Sequence, residues 1–285
     1  MNEDMTIRPM RREDLGRTMD WAAQEGWNPG LNDLESFWAA DPGGFWLGEV
    51  DGQPVASMST VRSGPGHGFV GLYIVVPAWR AKGLGWQLWQ HGMAQMGARR
   101  LGLDGVVARQ DDYRRSGFAL AWHNARFEGL APVGAHMPAT VRPLSAWPWA
   151  QAMALDGWQH PAAPEHRQPY WRACLNQTAS RALGVGSPTQ LQGLGVLRPA
   201  RQGWRIGPVL AQGPAQAEAL LQGLLSLVPA GQRVQIDVPL SQPHAVALVR
   251  SMGWIQVFDT ARMYRGGVIE GPPDALYGIA SLELG

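Results

Sequence analysis

A glycine-rich turn with two cations is the segment of this chain best suited to bind an anion. The turn runs from Arg80 to Gly85, between an apolar run, 69–77, and a segment that can continue as a helix. Its glycines at 83 and 85 let the backbone approach a ligand, and the first amides of a helix lack intrahelical acceptors. Those donors, the helix dipole and the two cations favour a phosphate group. A tight, solvated connection is the alternative for the turn taken alone.

The spacing of the turn excludes two familiar nucleotide-binding motifs. Its Gly-x-Gly lacks the third glycine of the dinucleotide fingerprint, and no Gly-Lys-Ser/Thr completes a nucleotide P-loop. What remains is Arg-x-x-Gly-x-Gly, preceded by Val75-Val76-Pro77. This pattern resembles the acetyl-CoA-binding motif of the GNAT superfamily of N-acetyltransferases, which follows a strand that ends in Val-x-Pro.

A second stretch supports the same resemblance. Tyr113 stands four residues before Gly117-Phe118, which is similar to a later signature of the GNAT superfamily. The interval between Gly85 and Gly117 leaves room for a helix, a strand over 104–108 and a short second helix. Two motifs in this order are more specific than either motif alone.

The resemblance implies a role for each motif residue. Acyl transfer needs a neutral amine, a donor for the oxyanion and a proton for the departing thiolate. By resemblance, the backbone of Val75 and Val76 pairs with the pantetheine arm, and the Val75 amide acts as an oxyanion hole. Tyr113 would protonate the CoA thiolate, since the ordinary pKa of a phenol, about 10, lies near that of a thiol. The pyrophosphate would be held by six residues: Arg80, Ala81, Lys82, Gly83, Leu84 and Gly85.

The sequence does not decide which residue acts as the general base. Many members of the superfamily place a carboxylate on the fourth strand, but 69–76 contains none. Glu25 ranks first as a catalytic candidate because the loop that follows it should border the substrate side. The other candidates are Asp33, Glu49, His67 and His123. A water relay without a dedicated base is the open alternative.

An internal repeat sets the domain organisation. Thr6-Ile7-Arg8-Pro9-Met10 recurs as Thr140-Val141-Arg142-Pro143-Leu144, an offset of 134 (142 minus 8). Gly117-Phe118 recurs as Gly253-Trp254, an offset of 136 (253 minus 117). Similar offsets at both ends predict two copies of one unit.

The second copy lacks the residues that carry the chemistry. We call the segment from Arg80 to Gly85 the phosphate turn. At the corresponding place in the second copy, 207–214 contains neither cation nor Gly-x-Gly, and Val249 stands where the first copy has Tyr113. We therefore expect an acetyl-CoA-binding GNAT acetyltransferase domain over 1–130 and a degenerate GNAT-like domain over 137–285. The second domain would wall the acceptor pocket or replace a dimer partner. Three of its side chains could reach that pocket: Asp237, Arg262 and Tyr264.

The order of the elements predicts a mixed α/β fold. Strands are expected over 6–10, 45–50, 55–62, up to Pro77, and over 105–108 and 120–128, with helices over 12–24 and about 85–100. This order predicts a mixed sheet with helices on its faces. The resemblance adds that the sheet splays between its fourth and fifth strands.

Composition excludes several classes of protein. With 285 residues the chain is long enough for two domains, and its 45% hydrophobic and 16% charged residues favour a folded, fairly apolar globule over disorder. A net charge of +1 gives no field that favours nucleic acid. The single cysteine, Cys174, excludes an internal disulfide and a cysteine zinc cluster, and we expect no metal. Without a signal peptide or a spanning stretch, we expect a cytoplasmic monomer or homodimer with no membrane partner.

Two functions from different classes are compatible with these features. The first is an N-acetyltransferase that moves an acetyl group from acetyl-CoA to a primary amine of a small molecule or peptide, by direct attack in a ternary complex. The second is a non-catalytic acyl-CoA-binding or regulatory protein, which the missing strand carboxylate keeps open. Tyr113 and the intact phosphate turn favour the enzyme.

Overall fold

The computed structural model describes residues 4–157, 164–267 and 274–285. The elements of the N-terminal half are β1 (Thr6–Pro9), α1 (Arg12–Gln24), α2 (Asp33–Ala40), β2 (Phe45–Val50), β3 (Gln53–Ser63), β4 (His67–Val75), α3 (Leu84–Met96), β5 (Arg100–Val106), α4 (Gln110–Arg115) and β6 (Ala119–Leu130). Those of the C-terminal half are β7 (Val141–Pro143), α5 (Trp149–Gly157), α6 (Gln168–Leu175), β8 (Arg181–Ser187), β9 (Gln190–Pro199), β10 (Trp204–Ala211), α7 (Pro214–Leu225), β11 (Arg233–Pro239), α8 (Pro243–Ser251), β12 (Ile255–Arg265) and β13 (Leu276–Gly278). Among the described helices, none has the length and apolarity needed to cross a membrane.

One mixed sheet runs through both halves, which confirms the predicted α/β class. Its strand order is β1-β2-β3-β4-β5-β12-β6-β11-β10-β9-β8-β7, and β13 pairs with β10. The last long strand of each half therefore lies beside the fifth strand of the other half. At the centre Asn124 of β6 pairs with Thr260 of β12, an offset of 136 (260 minus 124). This offset equals that of the sequence repeat, so an approximate twofold axis passes between these two residues.

The fourth and fifth strands splay as expected. They run parallel and pair from His67 with Arg100 to Val70 with Leu103. Beyond Val70 the pairing stops, and Leu72 has a left-handed φ of 47°. The result is an open gap between the second half of β4 and β5. A strand edge at such a gap carries backbone groups that a ligand can pair with.

The two faces of the sheet at β4 and β5 are covered differently. Val70, Leu101 and Leu103 belong to the same core cluster as Leu84 and Leu88 of α3. Because side chains alternate along a strand, residue 69, next to Val70, and residue 102, between Leu101 and Leu103, face away from α3. On that opposite face of β4, Leu72 and Ile74 join a second cluster together with α1 and α2.

Two predicted boundaries around α3 are wrong. The helix ends at Met96 rather than near Arg100, because Gly97 adopts a positive φ of 57° and ends it. As a result β5 begins at Arg100, earlier than the predicted strand over 104–108, and residues 107–109 form a short 3-10 helix.

Candidate active site

The phosphate turn has the backbone geometry of an anion site. Gly83 has a φ of 81° and is the N-cap of α3, and no side chain of the described residues caps that end of the helix. The amides of Leu84 and Gly85 have no hydrogen-bond acceptor among the described residues. Ala81 also has a positive φ, 62°. Exposed amides at the positive end of a helix dipole are suited to a phosphate.

Two cations border this turn. Arg80 donates from Nε to the carbonyl of Val75 (2.8 Å) and forms an ion pair with Glu25. Lys82 places its Nζ 4.3 Å from the centre of the Trp79 ring. The structure thus brings together Glu25, predicted as a catalytic base, and Arg80, predicted to bind the pyrophosphate. The Glu25 side chain is about a third exposed.

The edge of β4 exposes one amide to the gap. Val76 donates its amide to the carbonyl of Val55 (2.9 Å), and its own carbonyl accepts from Trp79 (2.9 Å). Val75 pairs with Ala56 of β3. Because hydrogen-bonded and non-hydrogen-bonded pairs alternate in antiparallel strands, the Val75 amide points away from β3 and into the gap. Both backbone groups of Val76 are therefore used within the chain, whereas the Val75 amide faces the gap.

Two tyrosines and a tryptophan line the inside of the gap. The Trp89 ring of α3 lies 5.4 Å from the ring of Tyr73 and 5.6 Å from that of Tyr113. Tyr113 fits because Gly105 has no side chain, since a Cβ there would lie 2.2 Å from the tyrosine ring. Gly85 has the same effect for the Tyr73 hydroxyl, which would lie 2.8 Å from an added Cβ. Gly85 is thus needed for side-chain packing as well as for ligand approach.

The phenol of Tyr113 stays protonated at neutral pH. Burial, with a smaller contribution from Asp112, raises the pKa of Tyr113 to about 12. Burial likewise raises the pKa of Tyr73, and the neighbouring Tyr113 adds to this shift. A protonated phenol beside the gap can donate a proton to a basic leaving group.

The other candidate bases lie in separate environments. Asp33 is buried against Arg198 (2.8 Å), and Glu49 is paired with Arg8 (2.8 Å). His123 lies 3.2 Å from Gln110, measured from Nε2 to Oε1. His67 lies at the start of β4, away from the gap. In the described part of the chain, none of these side chains has a hydrogen bond or ion pair to Val75 or Tyr113.

The corresponding gap in the C-terminal half is filled by the chain itself. β10 and β11 also splay, and β13 pairs with the free edge of β10 through Val209 with Gly278. Ala211 ends β10 as Val75 ends β4, but its amide donates to the carbonyl of Ala275 (3.0 Å). Tyr277 of β13 is buried in the core of this half. The amide that faces the gap in the first copy is therefore occupied in the second.

The segment that follows β13 continues to the N-terminal half. Ile279 donates its amide to the backbone carbonyl of Asp237 (2.8 Å). Glu283 then packs its backbone against Gly71 of β4, where a Cβ would lie 2.1 Å from the Glu283 carbonyl oxygen. The Glu283 carboxylate is buried and accepts from the Ser281 hydroxyl (2.6 Å). This carboxylate beside β4 was missed in the sequence, because Glu283 and Gly71 stand near opposite ends of the chain and no local motif marks their contact.

Buried ion pairs fasten the exchanged strands. Arg126 of β6 donates to Asp237 of β11 (2.8 Å), and Arg205 pairs with the same carboxylate. The equivalent ion pair on the other side of the junction joins Arg262 of β12 to Asp104 of β5 (2.5 Å). Asp237, expected as a possible pocket residue, is thus held between two arginines inside the junction between the halves.

The two aspartates differ in their electrostatics. Burial tends to raise the pKa of Asp237, but Arg126 and Arg205 together lower it below its ordinary value. For Asp104, burial exceeds the effect of Arg262, and the pKa is raised. One arginine partner does not offset the cost of burying a carboxylate here, whereas two do.

The N-terminal half fits an acyl-CoA. The exposed helix amides and the two cations match a pyrophosphate, the Val75 amide faces the open gap, and the Tyr113 ring packs on Trp89 of α3. In the described residues, no group of three or more His, Cys, Asp or Glu side chains could hold a metal ion.

Comparisons with known proteins agree with this geometry. A model of the acetyltransferase (GNAT) family matches residues 11–118, and a model of an acetyltransferase (GNAT) domain matches residues 158–278. The holothin acyltransferase of Pseudoalteromonas sp. (strain SANK 73390) is 30% identical over 289 aligned positions, which cover 100% of this chain and 96% of the relative.

Solved structures share the fold over nearly the whole chain. A candidate acetyltransferase from Pyrococcus horikoshii superposes with a TM-score of 0.83 at 20% identity, covering 99% of this chain and 96% of its own. A tandem GNAT protein from the clavulanic acid biosynthesis pathway superposes with a TM-score of 0.62 at 14% identity, and the superposition covers 94% of this chain and 100% of that protein. At these low identities, the two solved structures show a shared fold and nothing more.

Proposed function

Because the chain belongs to the GNAT family of acyltransferases, in the tandem form with two GNAT domains, we propose that its N-terminal half transfers an acetyl group from acetyl-CoA to a primary amine of a small molecule or peptide. The observation that supports this proposal is the open gap between β4 and β5, which the Val75 amide faces, with the Tyr113 ring packed on Trp89 of the neighbouring helix α3. We propose residues 1–130 as the acetyl-CoA-binding domain and 137–285 as the degenerate one.

The residues proposed to hold the donor are those of the turn and the strand edge. The amides and side chains from Arg80 to Gly85 would bind the pyrophosphate. The Val75 amide would stabilise the negative charge that develops on the acyl oxygen. The Val75 carbonyl, which accepts from Arg80 and has a second lone pair, would pair with the pantetheine arm. Val76 is left with a supporting role, since its amide and carbonyl are already bonded.

The proposed reaction needs two proton transfers. Acetyl-CoA supplies the acyl group and a thiol leaving group. As the amine nitrogen bonds to the acyl carbon and the carbon–sulfur bond breaks, Tyr113 would give its proton to the sulfur. The proton of the amine would pass to a water or a carboxylate. Glu25 remains a candidate for that carboxylate, although its ion pair with Arg80 supports a second role, which is to hold Arg80 at the turn.

The experiment that tests this proposal measures CoA release from acetyl-CoA with a panel of polyamines, amino acids, aminoglycosides and peptides. We expect turnover with at least one amine and a fall in kcat of about 100-fold or more in Tyr113→Phe, as for the loss of a general acid. Tyr277→Phe, which removes a buried phenol of the C-terminal half, is the matched control and should keep full activity. CoA binding without turnover of any amine would instead favour a non-catalytic acyl-CoA-binding protein.

A further inference from the structure

The carboxylate of Glu283 is buried without an arginine partner. It accepts a hydrogen bond from the Ser281 hydroxyl (2.6 Å) and forms no ion pair with an arginine in the part of the chain that the structure describes. Four other buried carboxylates each pair with an arginine: Asp33, Asp104, Asp156 and Asp237. A buried carboxylate without such a pair costs free energy in the fold, which marks Glu283 as a candidate for function.

Glu283 lies on β4 at the point where the gap opens. Pairing between β4 and β5 stops one residue before Gly71. The backbone of Glu283 packs on Gly71, where a Cβ would lie 3.1 Å from the Glu283 Cα. Its neighbours Leu282 and Leu284 belong to the core cluster that also contains Leu72 of β4. The segment therefore covers the face of β4 that points away from α3.

The Glu283 carboxylate extends from β4 towards the strands on the other side of the gap. Burial is the largest cause of the raised pKa of Asp104, on β5, and the charge of Glu283 adds to it. Burial opposes the charged form of Arg126, on β6, whereas the carboxylates around it, Glu283 among them, raise its pKa. The charge of Glu283 also acts on Arg198 and Arg205 of the second half. Because such effects weaken with distance, the carboxylate lies between β4 and these groups.

Hydrogen bonds hold the segment and its carboxylate in one orientation. Arg198 donates from Nη2 to the carbonyl of Ala280 (2.8 Å). The Ser281 hydroxyl accepts from the Glu283 amide (3.0 Å) and donates to the Glu283 carboxylate. A group that is fixed before the substrate binds needs no reordering during the reaction.

We propose that Glu283 is the general base of the N-terminal active site, so that the degenerate half supplies a group that the first half lacks. The strand β4 carries no carboxylate of its own, and its glycine at position 71 leaves the space that the Glu283 backbone occupies. This assignment rests on the proposed acetyl transfer and names the acceptor for the proton of the amine.

Two proton transfers then occur on opposite faces of the sheet. As the amine nitrogen bonds to the acyl carbon, its N–H bond breaks and the proton passes to a Glu283 oxygen, directly or through one water. The carbon–sulfur bond breaks, and the sulfur takes the proton of Tyr113, which packs on Trp89 of α3. Protonated Glu283 returns its proton through solvent to the Tyr113 phenolate. The net reaction moves one proton from the amine to the thiol.

The test is steady-state kinetics of Glu283→Gln in the full chain, with acetyl-CoA and an amine that the original chain acetylates. We expect kcat to fall about 100-fold or more, as for the loss of a general base, with the KM for acetyl-CoA unchanged. Calorimetry should show that the variant binds CoA like the original chain. Glu283→Asp, which keeps the charge on a shorter side chain, should recover part of the lost kcat.

The matched control is Glu128→Gln, which removes a half-buried carboxylate of β6 that accepts from Gln235 (2.7 Å) and should keep full activity. Full activity of Glu283→Gln would overturn the assignment of Glu283 and leave the acetyl transfer standing. The assignment is also overturned if Glu283→Gln loses CoA binding together with kcat, or if Glu283→Asp is no better than Glu283→Gln. Absence of turnover in the original chain would overturn both proposals.

Discussion

Arg126 and Asp237 form a buried ion pair that joins β6 of the first half to β11 of the second, with 2.8 Å between Nε and Oδ1. The same contact recurs in reverse where Arg262 joins β12 to Asp104 of β5. The offset between the two arginines is 136 (262 minus 126) and that between the two aspartates is 133 (237 minus 104), both close to the offsets of the sequence repeat, 134 and 136. Each half thus holds the terminal strand of the other by a pair that is closed to water.

Replacing Asp237 should strongly destabilise the whole chain. Asp237→Asn leaves Arg126 and Arg205 buried without a compensating charge, and we expect a loss of about 3–5 kcal/mol in the free energy of unfolding, measured with urea. Asp20→Asn breaks an exposed pair with Arg201 and should cost at most about 1 kcal/mol. Similar losses in the two variants would show that the junction pair does not fasten the strands.

The loss caused by Asp237→Asn should depend on pH in a defined direction. Burial opposes the charged form, but the two arginines hold the pKa of Asp237 below its ordinary value. A carboxylate with a depressed folded pKa stabilises the fold above its unfolded value, about 3.9, and loses this effect as the pH falls through the folded value. The difference in unfolding free energy between the original chain and Asp237→Asn should be constant from pH 7 to pH 5 and shrink below about pH 4. A difference that grows in acid would contradict the assigned shift.

The contact between Gly71 and the Glu283 backbone should be sensitive to one methyl group. A Cβ at position 71 would lie 2.1 Å from a backbone oxygen, so Gly71→Ala must displace the terminal segment or β4. We expect a loss of about 1–3 kcal/mol in urea unfolding. In Gly16→Ala, in α1, the added methyl group would meet Leu34 at 3.7 Å, an ordinary contact, and the change should be neutral or stabilising. An unchanged stability in Gly71→Ala would mean that the segment does not lie on β4.

Glu25→Gln should separate the two roles of this residue. If Glu25 holds Arg80 at the phosphate turn, the KM for acetyl-CoA rises up to about fivefold, since an exposed ion pair contributes at most about 1 kcal/mol, and kcat does not change. We expect that result in steady-state kinetics. Glu35→Gln, which breaks the exposed pair with Arg12, is the control. A fall in kcat at constant KM would show instead that Glu25 accepts the proton of the amine.

The parts of the candidate site that could be predicted from the sequence are local. The turn from Arg80 to Gly85, the strand before it and Tyr113 lie within one stretch of chain, so glycines, cations and spacing mark them directly. The splay between β4 and β5 followed from the resemblance and is confirmed where pairing stops after Val70. The repeat predicted two copies because similar residues recur at a constant offset.

The parts that were not predictable depend on contacts between distant segments. The exchange of β6 and β12 leaves no mark in either strand, since each keeps an ordinary strand pattern and only its neighbours change. Filling of the second gap by β13 is equally hidden, because backbone pairing with Ala211 requires no particular side chain. The boundary of α3 was misjudged because Gly97, which ends the helix, stands inside an otherwise helical pattern.

We propose, as the central claim, that the chain has one acyl-CoA site, in its N-terminal half, because β13 occupies the corresponding gap of the other half. Calorimetry with CoA tests it most directly. We predict one CoA per chain, none in the variant with Arg80→Ala and Gly83→Asp, and one in Gly213→Asp, which alters the N-cap of α7 at the matching place. Two sites per chain, or binding that persists without Arg80 and Gly83, would contradict this claim.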